Sequence, residues 1–387
     1  MKINQCIRAE LADLESRGQL RDLQMPHGID FSSNDYLGLA IDPRMKQAVL
    51  EGVNSSARVA STGSRLLSGH DDAWTILEND FAQWIGVEAA LYFSSGYAAN
   101  LGLLSAILRP EDVVFSDSAN HASLIDGMRL AKSRRVIFPH LDLNALEAEL
   151  RWSASGSGGR FIVVESIFSM NGDMAPLREL AALAARYKAE LIVDEAHATG
   201  VCGPQGRGRI AEVGLAGRVF ATIHTCGKAL AAAGAFVCGS ELLRMFLINR
   251  ARTFIFNTAL PPYFAAQVST GMRLSAEADA QRATLADSSI FLRSALLQNG
   301  FDIAGSDSQI VPVVLGSNEA ALAFAENLRS RGYGIRAIRP PTVPEGAARL
   351  RLSLTSNISK DTLADLVGAL IQVRDKISSA RAVPSAQ

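Results

Sequence analysis

The sequence predicts an α/β protein in which a large domain built on a mostly parallel sheet is followed by a smaller α+β domain. Three observations carry this reading. Six short runs rich in Val, Ile and Leu alternate with helix-compatible stretches between residues 89 and 224, the pattern of strands buried on both faces and joined by helical crossovers. At 387 residues the chain is too long for one small core. After a helical region around 262–299 the alternation gives way to a shorter, different set of elements.

In chain order, Ile7, Leu11, Leu14 and Leu20 recur at roughly helical spacing and predict an amphipathic helix within 5–23, expected to lie on something larger. The strand runs follow: "AALYF" (89–93), "DVVF" (112–115), "RVIF" (135–138), "RFIVVE" (160–165), "AELIVD" (189–194) and "VFATIH" (219–224). "PLRELAALAARY" (176–187) is a typical intervening helix. "SASGSGG" (153–159) reads as a surface loop, because the alternation resumes directly after it. The small domain follows with "QIVPVVL", a helix from about 318, "YGIRAI", "RLRLSLT" and a final helix, and the tail "ARAVPSAQ" is expected to fray. The division is an N-terminal helix and segment over 1–45, expected on the small domain, a large domain over 46–285 and a small domain over 286–387.

Composition excludes several functions. The formal charge of −1 comes from 38 basic and 39 acidic residues that are well mixed, so no basic surface pulls on nucleic acid. Cys6, Cys202, Cys226 and Cys238 form no Cys-x-x-Cys pair, which predicts neither a zinc ribbon nor a disulfide framework and suits a reducing cytoplasm. The N-terminal stretch shows no continuous apolar core of a signal peptide, and the longest apolar run, near "ALAAAGAFVC", is far short of a membrane span, so a soluble, unexported protein is expected.

In open parallel sheets ligands gather at the carboxyl ends of the strands. There the sequence places Ser95-Gly96-Tyr97, Asn120-His121, Ser169, Asp194 with His197, and Thr225-Cys226-Gly227-Lys228. "LIVDEAHATG" (191–200) admits three readings: a nucleotide-hydrolysis box, a metal site or a clamp for an organic cofactor. The first needs a G-x-x-x-x-G-K-[ST] loop, which the chain lacks. The second needs ligand pairs at metal spacing, which do not recur. The third uses every group. A pyridinium ring needs a carboxylate on its nitrogen, met by Asp194, and a lysine for the Schiff base, met by Lys228 among small and apolar neighbours. "SSGYAANLG" starts a helix whose free amides suit a phosphate.

These motifs, with "FSSNDYLGL" (31–39), "TGSRLLSG" (62–69), "FSSGYAAN" (93–100), "NHASLIDG" (120–127), "ESIFSMNGDMAPL" (165–177), "VDEAHATGVCGPQGRG" (193–208), "TCGKAL" (225–230) and "IRPPTVPEGAARLRLSLT" (338–355), run over nearly the whole chain. Together they resemble the α-oxoamine synthases, pyridoxal-phosphate enzymes of the aspartate-aminotransferase fold (fold type I). The resemblance implies that Lys228 forms the Schiff base and Asp194 pairs with the pyridine nitrogen. It implies that His197 and Ser169 bond the phenolic oxygen and that His121 stacks on the ring. Ser95, Gly96, Tyr97 and Thr225 would hold the phosphate end, and Thr258 would reach the phosphate of a neighbouring subunit, so a homodimer with shared sites is expected. Asn34 and Arg351 would bind the amino-acid carboxylate, and Arg21 and Thr342 match positions that contact substrate.

The implied reaction is decarboxylative condensation of L-alanine with a pimeloyl thioester of coenzyme A or acyl carrier protein, with Lys228 as general base and His121 serving the oxyanion. The alternative is glycine with a short acyl-CoA. Arg349, on the same strand face as Arg351, is expected to be an exposed charge, and "RLAKSRR" (129–135) a solvated helix end.

Overall fold

The computed structural model describes residues 2–153 and 158–382. Most of the loop expected at 153–159 and the last residues of the expected fraying tail, 383–387, lie outside the described residues; residues 380–382 continue the final helix. The chain divides into two compact units, one of Met1–Asn34, Met170–Asp173 and Ala283–Gln387, the other of Asp35–Ser169 and Met174–Arg282.

The first unit opens with a helix over Ile3–Ser16, which ends where Gly18 turns the chain at φ +62°. None of its residues is buried, and Ile3, Ile7 and Leu11 stay exposed. Leu14 is half-buried, and Ile3, Ile7 and Leu11 form a narrow row at i, i+4 and i+8 that is exposed in the single chain. An extended segment then leads to a short strand, β1 (Ile29–Asp30).

The second unit holds a seven-stranded sheet. Its strands are β2 (Ala89–Phe93), β3 (Val113–Asp117), β4 (Arg134–Phe138), β5 (Arg160–Glu165), β6 (Glu190–Asp194), β7 (Ala221–Thr225) and β8 (Ala235–Gly239). They lie in the order β2-β8-β7-β6-β5-β3-β4. Alternation along the central strands shows why the sequence chose this form. Ile162, Val164, Leu191 and Val193 pack toward the helices Leu143–Trp152 and Leu177–Tyr187, whereas Val163 and Ile192 pack toward the helix Gly96–Ile107 on the other face. Each such side chain gains about 1.5–3 kcal/mol by burial, and both faces are covered, which is the condition for parallel strands.

The sheet is mostly parallel, as expected, with one strand the sequence did not disclose. β8 runs antiparallel to both β7 and β2. It hides inside "ALAAAGAFVC", an apolar stretch without strand-like alternation, and only Gly234 at φ +86° marks the turn before it. A loop this short cannot cross over to a parallel neighbour, so the chain must double back.

The remainder of the first unit carries a sheet in the order β11-β12-β9, formed by β9 (Ile310–Gly316), β11 (Ala337–Ile338) and β12 (Ala348–Ser353), all antiparallel. β10 (Tyr333–Gly334) pairs parallel with β1 and ties the N-terminal segment to this unit. Gly172 belongs here too: a Cβ on it would lie 1.9 Å from the Ile310 carbonyl. No helix among the described residues is long and apolar enough to cross a membrane.

Candidate active site

Within the second unit, the carboxyl ends of β2, β3, β5, β6 and β7 point the same way and carry the predicted residues. Asp194 ends β6 and is only 5% exposed. Its Oδ2 accepts from Nδ2 of Asn100 at 2.7 Å and its Oδ1 from the Ala196 amide at 2.9 Å. A buried carboxylate that accepts from these neutral donors is suited to a cationic ligand atom. Asn100 also donates to Ser123 Oγ at 2.9 Å, so one amide links Asp194 to the helix that His121 begins.

His197 follows on the loop after β6 and is buried, with Nδ1 2.6 Å from the hydroxyl of the equally buried Tyr36. Ser169 is buried after β5. His121 caps the helix Ala122–Ala131: its Nδ1 accepts from the Ser123 amide at 3.3 Å and lies 2.8 Å from Ser123 Oγ. By surface area the residue is exposed, but its Nδ1 edge is tucked against the buried Ser123. That partial burial is the main cause holding its imidazole below the ordinary value; the charge of Lys228 adds to it and that of Asp194 opposes it.

The anion-binding end is built on the start of the helix Gly96–Ile107. Ser95 caps it, accepting from the Ala98 amide at 3.1 Å, which leaves earlier amides free for a ligand. A Cβ on Gly96 would meet Thr225 Cγ2 at 2.6 Å, so only glycine lets the helix start approach the end of β7. The Tyr97 hydroxyl is engaged by Asp126, which raises its pKa; Tyr97 can serve an anion through its backbone amide but not through its phenol. Lys228 is half-buried in the turn between β7 and β8, which is closed by Cys226 N to Gly234 O at 2.9 Å and Ala231 N to Lys228 O at 2.9 Å. Thr258 is exposed in the segment after the helix Arg252–Ile255.

The first unit brings its own predicted residues together. Both Nη atoms of Arg351 donate to Asn34 Oδ1 at 3.1 Å, and Ser353 Oγ joins at 3.2 Å. Arg21 Nη2 donates to Thr342 Oγ1 at 3.3 Å and to the Pro340 carbonyl at 3.4 Å. Arg349 departs from its expected exposure. It is 7% exposed and donates to Asn171 Oδ1 at 2.5 Å and to the Ala347 carbonyl at 3.0 Å, because its strand face is covered rather than open. In "RLAKSRR" the expectation holds for Arg129, which forms a surface pair with Asp126 at 3.1 Å.

Three residues that contact this machinery were not singled out from the sequence: Tyr36, Asn100 and Glu165. All three lie inside motifs already quoted, so the signal was their motif rather than their chemistry.

Residues 26–370 match the family model described as aminotransferase class I and II. The chain is 42% identical to 8-amino-7-oxononanoate synthase of Geobacter sulfurreducens over 95% of this chain and 97% of that one. It is 42% identical to the enzyme of the same name from Burkholderia lata over the full length of both. Among solved structures, serine palmitoyltransferase from S. paucimobilis with a bound PLP–myriocin adduct superposes with a TM-score of 0.89 at 27% identity, over 96% of this chain and 98% of that one. The 8-amino-7-oxononanoate synthase of Francisella tularensis superposes with a TM-score of 0.79 at 29% identity, over 91% and 99%.

Proposed function

The chain belongs to the aminotransferase class I and II family and, within it, to the 8-amino-7-oxononanoate synthases, and from that premise we propose how its own residues carry a pyridoxal-phosphate-dependent acyl transfer. It is a C-acyltransferase of biotin biosynthesis that works with pyridoxal 5'-phosphate. The observation that carries the residue-level reading is Asp194. It is a buried carboxylate that accepts from the neutral donors Asn100 and the Ala196 amide, at the same strand-end edge as Lys228, His197, Ser169 and the open helix start at Gly96.

That donor set fits the cofactor. Asp194 would hold a protonated ring nitrogen, His197 and Ser169 the phenolic oxygen, His121 the ring face, and Ser95, Gly96, Tyr97 and Thr225 the phosphate. When bound, the group supplies a sink for the electron pair left at an amino-acid α-carbon. The Lys228 amine, once displaced by the substrate, takes the α-proton as general base. Neutral His121 donates to the oxygen that gains charge when a thioester carbonyl is attacked. Arg351, oriented by Asn34, binds the amino-acid carboxylate with its guanidinium fork, and Arg21 with Thr342 contacts the acyl chain.

The substrates proposed are L-alanine and a pimeloyl thioester of coenzyme A or acyl carrier protein. The working form is a homodimer in which Thr258 serves the neighbouring subunit's site. A cytoplasmic setting suits the four cysteines, none of which is in a disulfide. The test is direct: the purified protein should gain visible absorbance with pyridoxal phosphate and turn over alanine with pimeloyl-CoA, and Lys228→Ala should lose both. Turnover by Lys228→Ala would overturn the mechanism, and a response to glycine but not to alanine would overturn the substrate.

A further inference from the structure

Glu165 ends β5, and its Cα is the register partner of Asp194 on β6. Its side chain is 3% exposed. Oε2 accepts a long bond from the Ser169 amide at 3.3 Å, the His121 amide faces the carboxyl, and no donor meets hydrogen-bond geometry at Oε1. Two carboxyl groups thus stand side by side out of water. Both cannot ionise cheaply, since each charge lacks solvent and raises the cost of the other. Hydrogen bonding favours Asp194 as the ionised one: it takes two short bonds, at 2.7 and 2.9 Å, whereas Glu165 takes a long one from the Ser169 amide at 3.3 Å, with the His121 amide also facing it.

We propose that Glu165 is a positioning residue present as the neutral acid, which anchors the Ser169 amide and leaves Asp194 as the single negative charge at this edge of the site. The inference rests on the reading of Asp194 as the cofactor's carboxylate. The groups facing Glu165 are Asp194 on β6, Lys228 after β7, and the amides of His121 and Ser169. Burial first, then the charge of Asp194, pushes its carboxyl up to about 8, against the pull of Lys228 and the two amides. Neutrality matters to Lys228. A second carboxylate nearby would stabilise its ammonium form, and a general base must be unprotonated to accept a proton. Activity should therefore decline on the alkaline side as Glu165 ionises.

The experiment uses the holoenzyme and reads the pH titration of its visible absorbance, its affinity for pyridoxal phosphate, and the pH profile of turnover. Glu165→Gln, neutral and of the same shape, should keep affinity and turnover at neutral pH within about threefold, and its alkaline transition should move upward or vanish. Glu165→Ala strands the Ser169 amide and should weaken cofactor binding by about tenfold. If Glu165→Gln is as impaired as Glu165→Ala, a charged carboxylate is required and the proposal is overturned. A titration of Glu165→Gln that superposes on the wild type overturns it equally. Failure of the wild-type protein to bind pyridoxal phosphate would instead overturn the underlying reading of Asp194.

Discussion

The hydroxyl of Tyr36 lies 2.6 Å from Nδ1 of His197, and both side chains are buried. With the phenol as donor, Nδ1 is the acceptor and the ring proton resides on Nε2, so His197 presents a donor on its other edge. That is the tautomer needed to bond a phenolate oxygen. Partners that fix a histidine in this way are worth roughly 10- to 100-fold in function when the histidine is a ligand to a metal. Tyr36→Phe removes one hydroxyl and leaves the ring packing in place. It should fold normally, lower kcat/KM by about tenfold, and shift the visible absorbance of the bound cofactor. An unaltered spectrum and rate would show that His197 holds its orientation without Tyr36.

Gly96 is required for a different reason, since its backbone sits where any side chain would strike Thr225, with 2.6 Å between a built Cβ and Cγ2. Gly96→Ala should push the start of its helix away from the end of β7 and displace the free amides there. The expected loss is about tenfold or more in affinity for pyridoxal phosphate, measured by fluorescence titration. Gly86→Ala is the control. Gly86 has φ +82° and open space around it, so its substitution should cost about 1 kcal/mol of stability and leave cofactor affinity unchanged. Equal affinities for the two variants would refute the steric argument.

Residue by residue, the sequence was informative where chemistry and periodicity agreed. The strands around Asp194 and Ser169 were legible because buried parallel strands must be continuously apolar, and the polar residues that follow them stand out. β8 was not legible, because "AFVCG" follows directly on an apolar loop and carries no boundary except Gly234. Arg349 and Arg351 read alike as alternating charges on one strand face. Their burial is set by Asn171 and Asn34, far away in the chain, and no local pattern encodes such a meeting. Tyr36 and Asn100 escaped notice for the same reason: each acts by orienting another residue, and a second partner is visible only once the chain is folded.

His224 predicts the acid stability of the fold. It is 1% exposed, with Nδ1 2.9 Å from Thr199 Oγ1 and Nε2 2.8 Å from Thr222 Oγ1. Burial pushes its pKa from the ordinary 6.5 down to about 3. The folded state therefore keeps it neutral, while the unfolded chain takes up a proton below about 6.5. The stability it contributes is complete above that pH and is lost as pH falls toward 3, at up to about 1.4 kcal/mol per pH unit. His224→Gln should be less stable at pH 7, having lost its fit between the two threonines, but should decline less steeply from pH 6.5 to 3. Denaturant midpoints across that range measure it, and parallel curves for both proteins would reject the assignment.

Thr258 tests the quaternary proposal. Its exposure in the isolated chain is compatible with a hydroxyl lent to another subunit, and in an isologous dimer what one subunit lends it also receives. Thr258→Ala removes one bond to a charged acceptor, about 1.5–3 kcal/mol, so cofactor should dissociate more readily while Lys228 remains competent. Thr258→Asp is more severe, because it brings a carboxylate against a phosphate, and should abolish binding in whichever site it faces. Mixing Thr258→Asp with Lys228→Ala then separates shared from self-contained sites. In a mixed dimer, the site that keeps its own Lys228 receives an intact Thr258 from the other chain, whereas the second site lacks its lysine. Random exchange makes about half the dimers mixed with one working site in each, so about a quarter of wild-type activity should return. Self-contained sites would give none after full subunit exchange. A protein fully active while monomeric at assay concentration would also refute the arrangement.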